Sequence, residues 1–270
     1  QGADPRTTVK QVRIERADGV ARVVLCRAQM HNALVPELLT DLLAALEELK
    51  HDADTHVVVL AAEGHAFSIG GDMRRFKRER EQGELRAYAT GLVGQLNQAI
   101  LALIDLPQPV VAVVHGLVTG GSIGLVLAAD IVMLAPQVVF KAHYATAGFG
   151  PDGGWTALVG RLAGRRRAAE ALLLNRSIRA EEAVSWGLAN EIVQADALHD
   201  EAAKAAGKMA RYPLGTMRAA KRLLWGDREQ LAADLEAERA HFVELIAGSE
   251  AQAGVDAFLR DFGDYPDSPD

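Results

Sequence analysis

Residues 106–129 form a run of 24 positions without a single Asp, Glu, Lys or Arg. A stretch that long without charge leaves water for either a bilayer or a protein core. Its interior residues decide between the two. Pro107, Pro109, Gly116, Gly120, Gly121 and Gly124 break any continuous helix, and Gln108, His115, Thr119 and Ser122 add polar groups. The run therefore reads as a buried strand, a glycine turn and a buried helix, with no membrane span.

The flanking sequence supplies elements to bury it. Residues 9–15 and 20–27 are strand-like around Asp18-Gly19, a hairpin signal. From Pro36 to Lys50, leucines recur at helical spacing, with Pro36 suited to the first turn. Strands are predicted at 56–62, 110–114, 131–134, 138–140 and 189–193, and helices at 85–104 and 122–129. Helices dominate after Trp155. Strands joined by helical crossovers predict an α/β fold. We divide the chain into a core over 8–195, a helical C-terminal region over 196–262 and a flexible tail over 263–270.

Composition excludes several functions. With 29 Lys+Arg against 36 Asp+Glu the net charge is −7, a poor match to a polyphosphate backbone, so no nucleic-acid partner is expected. The lone Cys26 excludes a disulfide framework within one chain, and the eight histidines form no ligand motif, so no metal is expected. The polar opening residues do not resemble a signal peptide, and a cytoplasmic location is expected.

Three glycine motifs compete for the chemistry. Gly120-Gly121-Ser122-Ile123-Gly124 fits the G-x-S-x-G elbow of serine hydrolases, but five residues separate it from the strand ending at Val114. Gly148-Phe149-Gly150-Pro151-Asp152-Gly153 fits the dinucleotide fingerprint, yet places Asp152 where a pyrophosphate would lie. The third reading joins two turns, Gly70-Gly71 and Gly120-Gly121, each following a strand. Two backbone N–H groups converging there would make an oxyanion hole, and glycine lets a substrate approach closely.

These residues resemble the enoyl-CoA hydratase/isomerase (crotonase) family. The likeness runs in order through Arg27…Asn32-Ala33-Leu34, Phe67-Ser68-x-Gly70-x-Asp72, His115-Gly116…Gly120-Gly121, Asp130-Ile131 and Phe140…Pro151-Asp152-Gly153-Gly154. It ends with Ala180-Glu181-Glu182-Ala183…Trp186-Gly187-Leu188, and spans roughly residues 10–262. The resemblance implies a spiral of ββα turns, a helical C-terminal region that packs in a homotrimer or a dimer of trimers, and a coenzyme A thioester as substrate. Coenzyme A enters as part of the substrate, and no separate cofactor is implied. The oxyanion donors become the N–H groups of Gly71 and Gly121. Ala66, Ser68, Ile69, Gly70, Gly120, Tyr144 and Phe149 fall at substrate-binding positions. Arg27 or His31 stands in for a phosphate contact, and the basic run 74–80 offers a positive rim.

The two glutamates of the family's hydratases fall at Gly124 and Tyr144, neither of which can replace them. One acid remains, Asp152, at a position resembling the lone carboxylate of single-aspartate Δ3,Δ2-enoyl-CoA isomerases, including those of the phenylacetate-degradation type. The expected activity is double-bond migration by a proton shuttle on Asp152. Its dry setting is expected from Phe140, Tyr144, Phe149 and Trp155. Hydratase, thioester hydrolase and non-catalytic CoA-binding readings stay open. An aryl-CoA dehalogenase would need a histidine where Asn97 stands.

Overall fold

The computed structural model describes residues 10–262. Val9, the expected start of the core at residue 8, and the expected tail at 263–270 lie outside that range.

The Asp18-Gly19 signal forms a tight hairpin between β1 (Val12–Ala17) and β2 (Val20–Leu25). Both turn residues have positive φ, 50° and 79°, as the right-handed twist of the strands demands. After β2 the chain passes into α1 (Pro36–Lys50), which starts on Pro36 and buries Leu38, Leu39, Leu42, Leu46 and Leu49. It returns as β3 (Val57–Ala62), parallel to β2. Next come α2 (Met73–Glu81), α3 (Leu85–Asp105) and β4 (Val110–Val114). β3 and β4 are buried throughout, the pattern of strands covered on both faces.

At Gly116 the chain turns away from this sheet. Its φ is +62°, and a Cβ there would lie 2.1 Å from the His65 carbonyl oxygen. The next strand, β5 (Leu117–Thr119), joins a second layer instead. α4 (Ile123–Leu127), β6 (Ile131–Leu134), β7 (Val139–Lys141) and α5 (Tyr144–Ala147) then repeat the pattern. The uncharged run is thus two strands, a glycine turn and a short buried helix.

The core continues through α6 (Val159–Ala163), α7 (Arg165–Leu173), β8 (Ile178–Arg179), α8 (Ala180–Ser185) and β9 (Glu191–Ile192). The six-stranded sheet runs β1-β2-β3-β4-β6-β9, and the smaller sheet runs β5-β7-β8. Single bridges extend the smaller layer, Leu34 with Gly71 and Ser68 with Val118. Each turn of chain therefore places one strand in the main sheet, one segment in the minor layer and helical chain after it. Four such turns wind as a spiral, the mixed α/β crotonase-like fold.

Four helices follow: α9 (Leu198–Met209), α10 (Leu214–Trp225), α11 (Arg228–Ile246) and α12 (Ser249–Phe262). Much of the burial of their apolar faces lies within the chain. α9 covers the main sheet, α11 lies along α3, and α12 packs on α2 and α5. A Cβ on Gly254 would lie 2.1 Å from the Ala147 carbonyl oxygen, so only glycine permits α12 to approach this closely. Leu223 and Leu224 of α10 stay 81% and 86% exposed. α3 is long and apolar enough to cross a membrane by length and composition, and here it packs between α1 and α11.

Candidate active site

The second residues of the two glycine pairs meet at one pocket. Gly71 sits between the two backbone bonds of its bridge with Leu34, from Leu34 N–H to Gly70 O and from Asp72 N–H to Leu34 O. In a parallel bridge the middle residue's own N–H faces the other way. Gly121 lies in the first helical turn after β5, where N–H groups have no acceptor within the helix. The two turns lock together: Thr119 N–H bonds Ser68 O at 3.1 Å and Thr119 Oγ1 bonds Ile69 O at 2.6 Å. A Cβ on Gly70 would lie 2.7 Å from the Thr119 carbonyl oxygen.

Asp152 faces the same pocket and is 7% exposed. A Cβ added to Gly121 would lie 2.7 Å from its Oδ2, so the carboxyl rests directly on the Gly121 backbone. Tyr144 Oη donates to Oδ1 at 2.5 Å, and no cation pairs with this acid among the described residues. Burial pushes the Asp152 carboxyl up to about 7, and the charge of Glu238 acts in the same direction. The Tyr144 hydrogen bond opposes both by favouring the ionised form. Burial, then the adjacent carboxylate, raises the Tyr144 phenol well above its ordinary value, so it stays a donor.

The pocket encloses about 620 Å³, its open mouth included. Ile69, Gly70, Gly71, Gly120, Gly121, Tyr144, Phe149 and Asp152 line it, as expected of site residues. Ala66 and Ser68 are buried behind it. The Ala66 carbonyl accepts from Asn32, and Ser68 Oγ donates to the Asn32 carbonyl. His31 also stands off the pocket, and its carbonyl oxygen accepts Ile69 N–H at 3.3 Å. Arg27 is tied to Asp72 at 2.8 Å and to the Ala33 carbonyl at 2.9 Å.

The aromatic wall differs from the expected one. Phe140 and Trp155 are fully buried away from the pocket, and Trp155 Nε1 steadies the Gly120-Gly121 turn by donating to Gly120 O. Phe76, Phe242 and Phe258 take their place beside Phe149. The Phe76, Phe149 and Phe242 rings meet at centroid distances of 5.5 to 6.2 Å. These residues come from α2, α11 and α12, and their phenylalanine-to-site separations in sequence gave no local signal. His143 opens α5 at φ 66° and lines the mouth, with burial lowering its imidazole to about 4.

Two other expectations change their grounds. β5 fills the gap before Gly120, so a strand does lead straight into the G-x-S-x-G segment. What removes Ser122 as a nucleophile is its burial, with its hydroxyl against the carbonyls of Thr119 and Ser68 at 2.6 and 3.0 Å. Asn97 points away from the pocket and donates to the Leu235 carbonyl. At Gly124 a Cβ would lie 2.4 Å from both the Gly153 carbonyl oxygen and Ile100 Cδ1, so no side chain fits there.

The basic run lies on α2 and is largely engaged. Arg75 bonds Glu79 and Glu37, and Arg80 bonds Asp256 and the Gln252 carbonyl. Arg74, Arg75 and Arg78 border an open cleft with Arg27, apart from the pocket.

Known proteins resemble this chain over nearly its whole length. The family model described as Enoyl-CoA hydratase/isomerase matches residues 15–262. A Mycobacterium bovis protein named "Probable enoyl-CoA hydratase echA12" is 32% identical over 92% of this chain and 90% of its own. An Arthrobacter 4-chlorobenzoyl coenzyme A dehalogenase is 28% identical over 87% of this chain and 89% of its own. The crystal structure of an enoyl-CoA hydratase from Mycobacterium avium subsp. paratuberculosis K-10 superimposes with a TM-score of 0.83. It is 27% identical and covers 94% of this chain and 97% of its own. The chain belongs to the enoyl-CoA hydratase/isomerase (crotonase) family and is an acyl-CoA-processing enzyme of that family.

Proposed function

We propose that the protein is a Δ3,Δ2-enoyl-CoA isomerase of the single-aspartate kind. The observation that carries this reading is one carboxyl, Asp152, that faces the pocket, is buried, and rests against the Gly121 backbone without a cation among the described residues. The thioester oxygen sits between the N–H groups of Gly71 and Gly121, which acidify the carbon next to the carbonyl. Asp152 Oδ2 removes a proton there, and the dienolate's negative charge rests on the thioester oxygen. The carboxyl then returns the proton two carbons further on, giving the conjugated 2-enoyl product. A pKa near 7 suits both halves, because each protonation state is accessible. Each oxyanion donor contributes on the order of 10²–10³ in rate. Tyr144 orients the carboxyl through Oδ1 and leaves Oδ2 for the substrate. Arg74, Arg75 and Arg78 supply positive charge toward the CoA phosphates, and the exposed leucines of α10 contribute to a homotrimer.

The closed space at Gly124 and the phenol of Tyr144 speak against two-acid hydration. A dehalogenase reading draws on the Arthrobacter relatives, with Asp152 attacking an aryl carbon as nucleophile. The position where that chemistry calls for a histidine holds Asn97, which faces α11.

Incubation with a 3-enoyl-CoA separates these readings. An isomerase gives conjugated 2-enoyl absorbance with no free thiol and no 3-hydroxyacyl product. Thiol release would mark a hydrolase, a 3-hydroxyacyl product from a 2-enoyl-CoA would mark a hydratase, and halide release from a halobenzoyl-CoA would mark a dehalogenase. Only if all three thioesters come back unchanged does a CoA-binding role remain.

A further inference from the structure

α11 buries Leu231, Leu235, Glu238, Phe242 and Ile246, so one carboxylate sits in an otherwise apolar stripe. Glu238 is 4% exposed. The nearby arginines on or against α11 pair elsewhere, Arg239 with Glu236 and Arg161 with Asp234, and His241 lies against Glu244. A buried carboxylate without a cation must be satisfied by hydrogen-bond donors. Here they come from a single turn. Gly154 N–H bonds Oε2 at 2.7 Å. Thr156 N–H, Thr156 Oγ1 and Ala157 N–H bond Oε1 at 2.7, 2.5 and 3.0 Å.

That turn begins with Asp152. Its other side presses on the oxyanion turn, where a Cβ on Gly153 would lie 2.1 Å from the Gly121 carbonyl oxygen. The segment is gripped between the α11 carboxylate and the Gly121 backbone. We infer that Glu238 is a positioning residue for Asp152, holding the 152–157 turn in place and setting the electrostatic field in which that acid works. The inference rests on Asp152 as the proton-transferring group.

Few ionisable groups surround Asp152, which makes the field attributable. Tyr144 faces it from α5 and Glu238 acts from α11, while His143 at the head of α5 is held uncharged by burial. α3 presents Leu96, and the turn after β5 presents Gly121. Like charges disfavour joint ionisation, so Glu238 adds to the upward push that burial gives Asp152.

The test is the pH profile of kcat/KM for 3-enoyl-CoA isomerisation, whose acid limb reports ionisation of the base in the free enzyme. Glu238→Gln removes the charge, and the limb moves to lower pH by roughly half a unit or more. kcat falls about tenfold, because glutamine offers one acceptor oxygen where the turn needs two. Glu238→Asp keeps the charge but withdraws it, so kcat falls without that downward shift. Thr156→Ala, at an exposed position, deletes one donor to Oε1. The less compensated charge moves the limb upward in a folded protein. A lower kcat in Glu238→Gln with an unmoved limb would reduce Glu238 to a structural brace and overturn the inference. If Glu238→Gln does not fold, Thr156→Ala decides, and a fixed limb there overturns it as well. Full activity in Asp152→Asn would instead sink the reading of Asp152 itself, a separate result.

Discussion

Asp72 and Asp152 are both buried aspartates beside a glycine pair, one after Gly70-Gly71 and the other before Gly153-Gly154. Their exposures are nearly equal, 3% and 7%. Their neighbours make them different groups. Asp72 caps α2 by accepting Arg74 N–H and Arg75 N–H on Oδ1, and its Oδ2 takes the Arg27 guanidinium at 2.8 Å. Every interaction there answers a negative charge. Asp152 has one phenol donor, a second carboxylate in its field and no cation among the described residues. Burial alone does not make an acid reactive, because a reactive acid must also be denied the partners that would settle its charge.

The largest break in this comparison should come from Asp152→Asn. Isomerisation should fall by about 10³-fold or more, while CoA-thioester binding, followed by calorimetry, is retained. Its stability should move the other way. The folded carboxyl keeps its proton up to about pH 7, whereas the unfolded one ionises near its ordinary value of 3.8. Stability is therefore lost as pH rises between those values. Asp152→Asn should then resist urea better than wild type by a few kcal/mol at pH 8, and hardly differ at pH 4.

Asp72→Asn should instead destabilise the fold. Asparagine still caps α2 but leaves Arg27 without its counter-charge, costing about 2 kcal/mol in urea unfolding. The acid limb of the kcat/KM profile should stay in place. A shifted limb would mean that the two aspartates are less separate than their partners indicate. The smallest effect belongs to Tyr144→Phe. Removing the donor to Oδ1 withdraws support from the ionised form, so the acid limb should rise, with a loss of roughly tenfold or less at neutral pH. A limb moving down would contradict the direction in which Tyr144 acts.

The longer strands of the main sheet were legible because they have enough residues to show a pattern. Val110–Val114 and Ile131–Leu134 emerge at their expected limits, and the Asp18-Gly19 hairpin follows from turn chemistry. β5 and β8 did not, since two or three residues have no usable period and exist through pairing with β7. Within the site, the glycine pairs and Asp152 were legible because backbone approach and lone acids leave local motifs. Phe242 and Phe258 were not, being brought in by helices that fold back from far along the chain. Glu238 did leave a trace: it falls in register with Leu231, Leu235 and Phe242, a charge on the face that should be greasy. Among so many acidic residues on α11 that register was easily read as solvent.

Gly124 has a consequence for how such an enzyme can change. A side chain there would meet the carbonyl oxygen of Gly153, the residue next to Asp152. Restoring a glutamate at that position would displace the turn that carries the existing acid. At position 124 a second acid is thus closed to any single substitution: gaining the new group there means losing the old one's seat. The geometry works as a ratchet, keeping position 124 free of a side chain until the Asp152 turn itself is rebuilt.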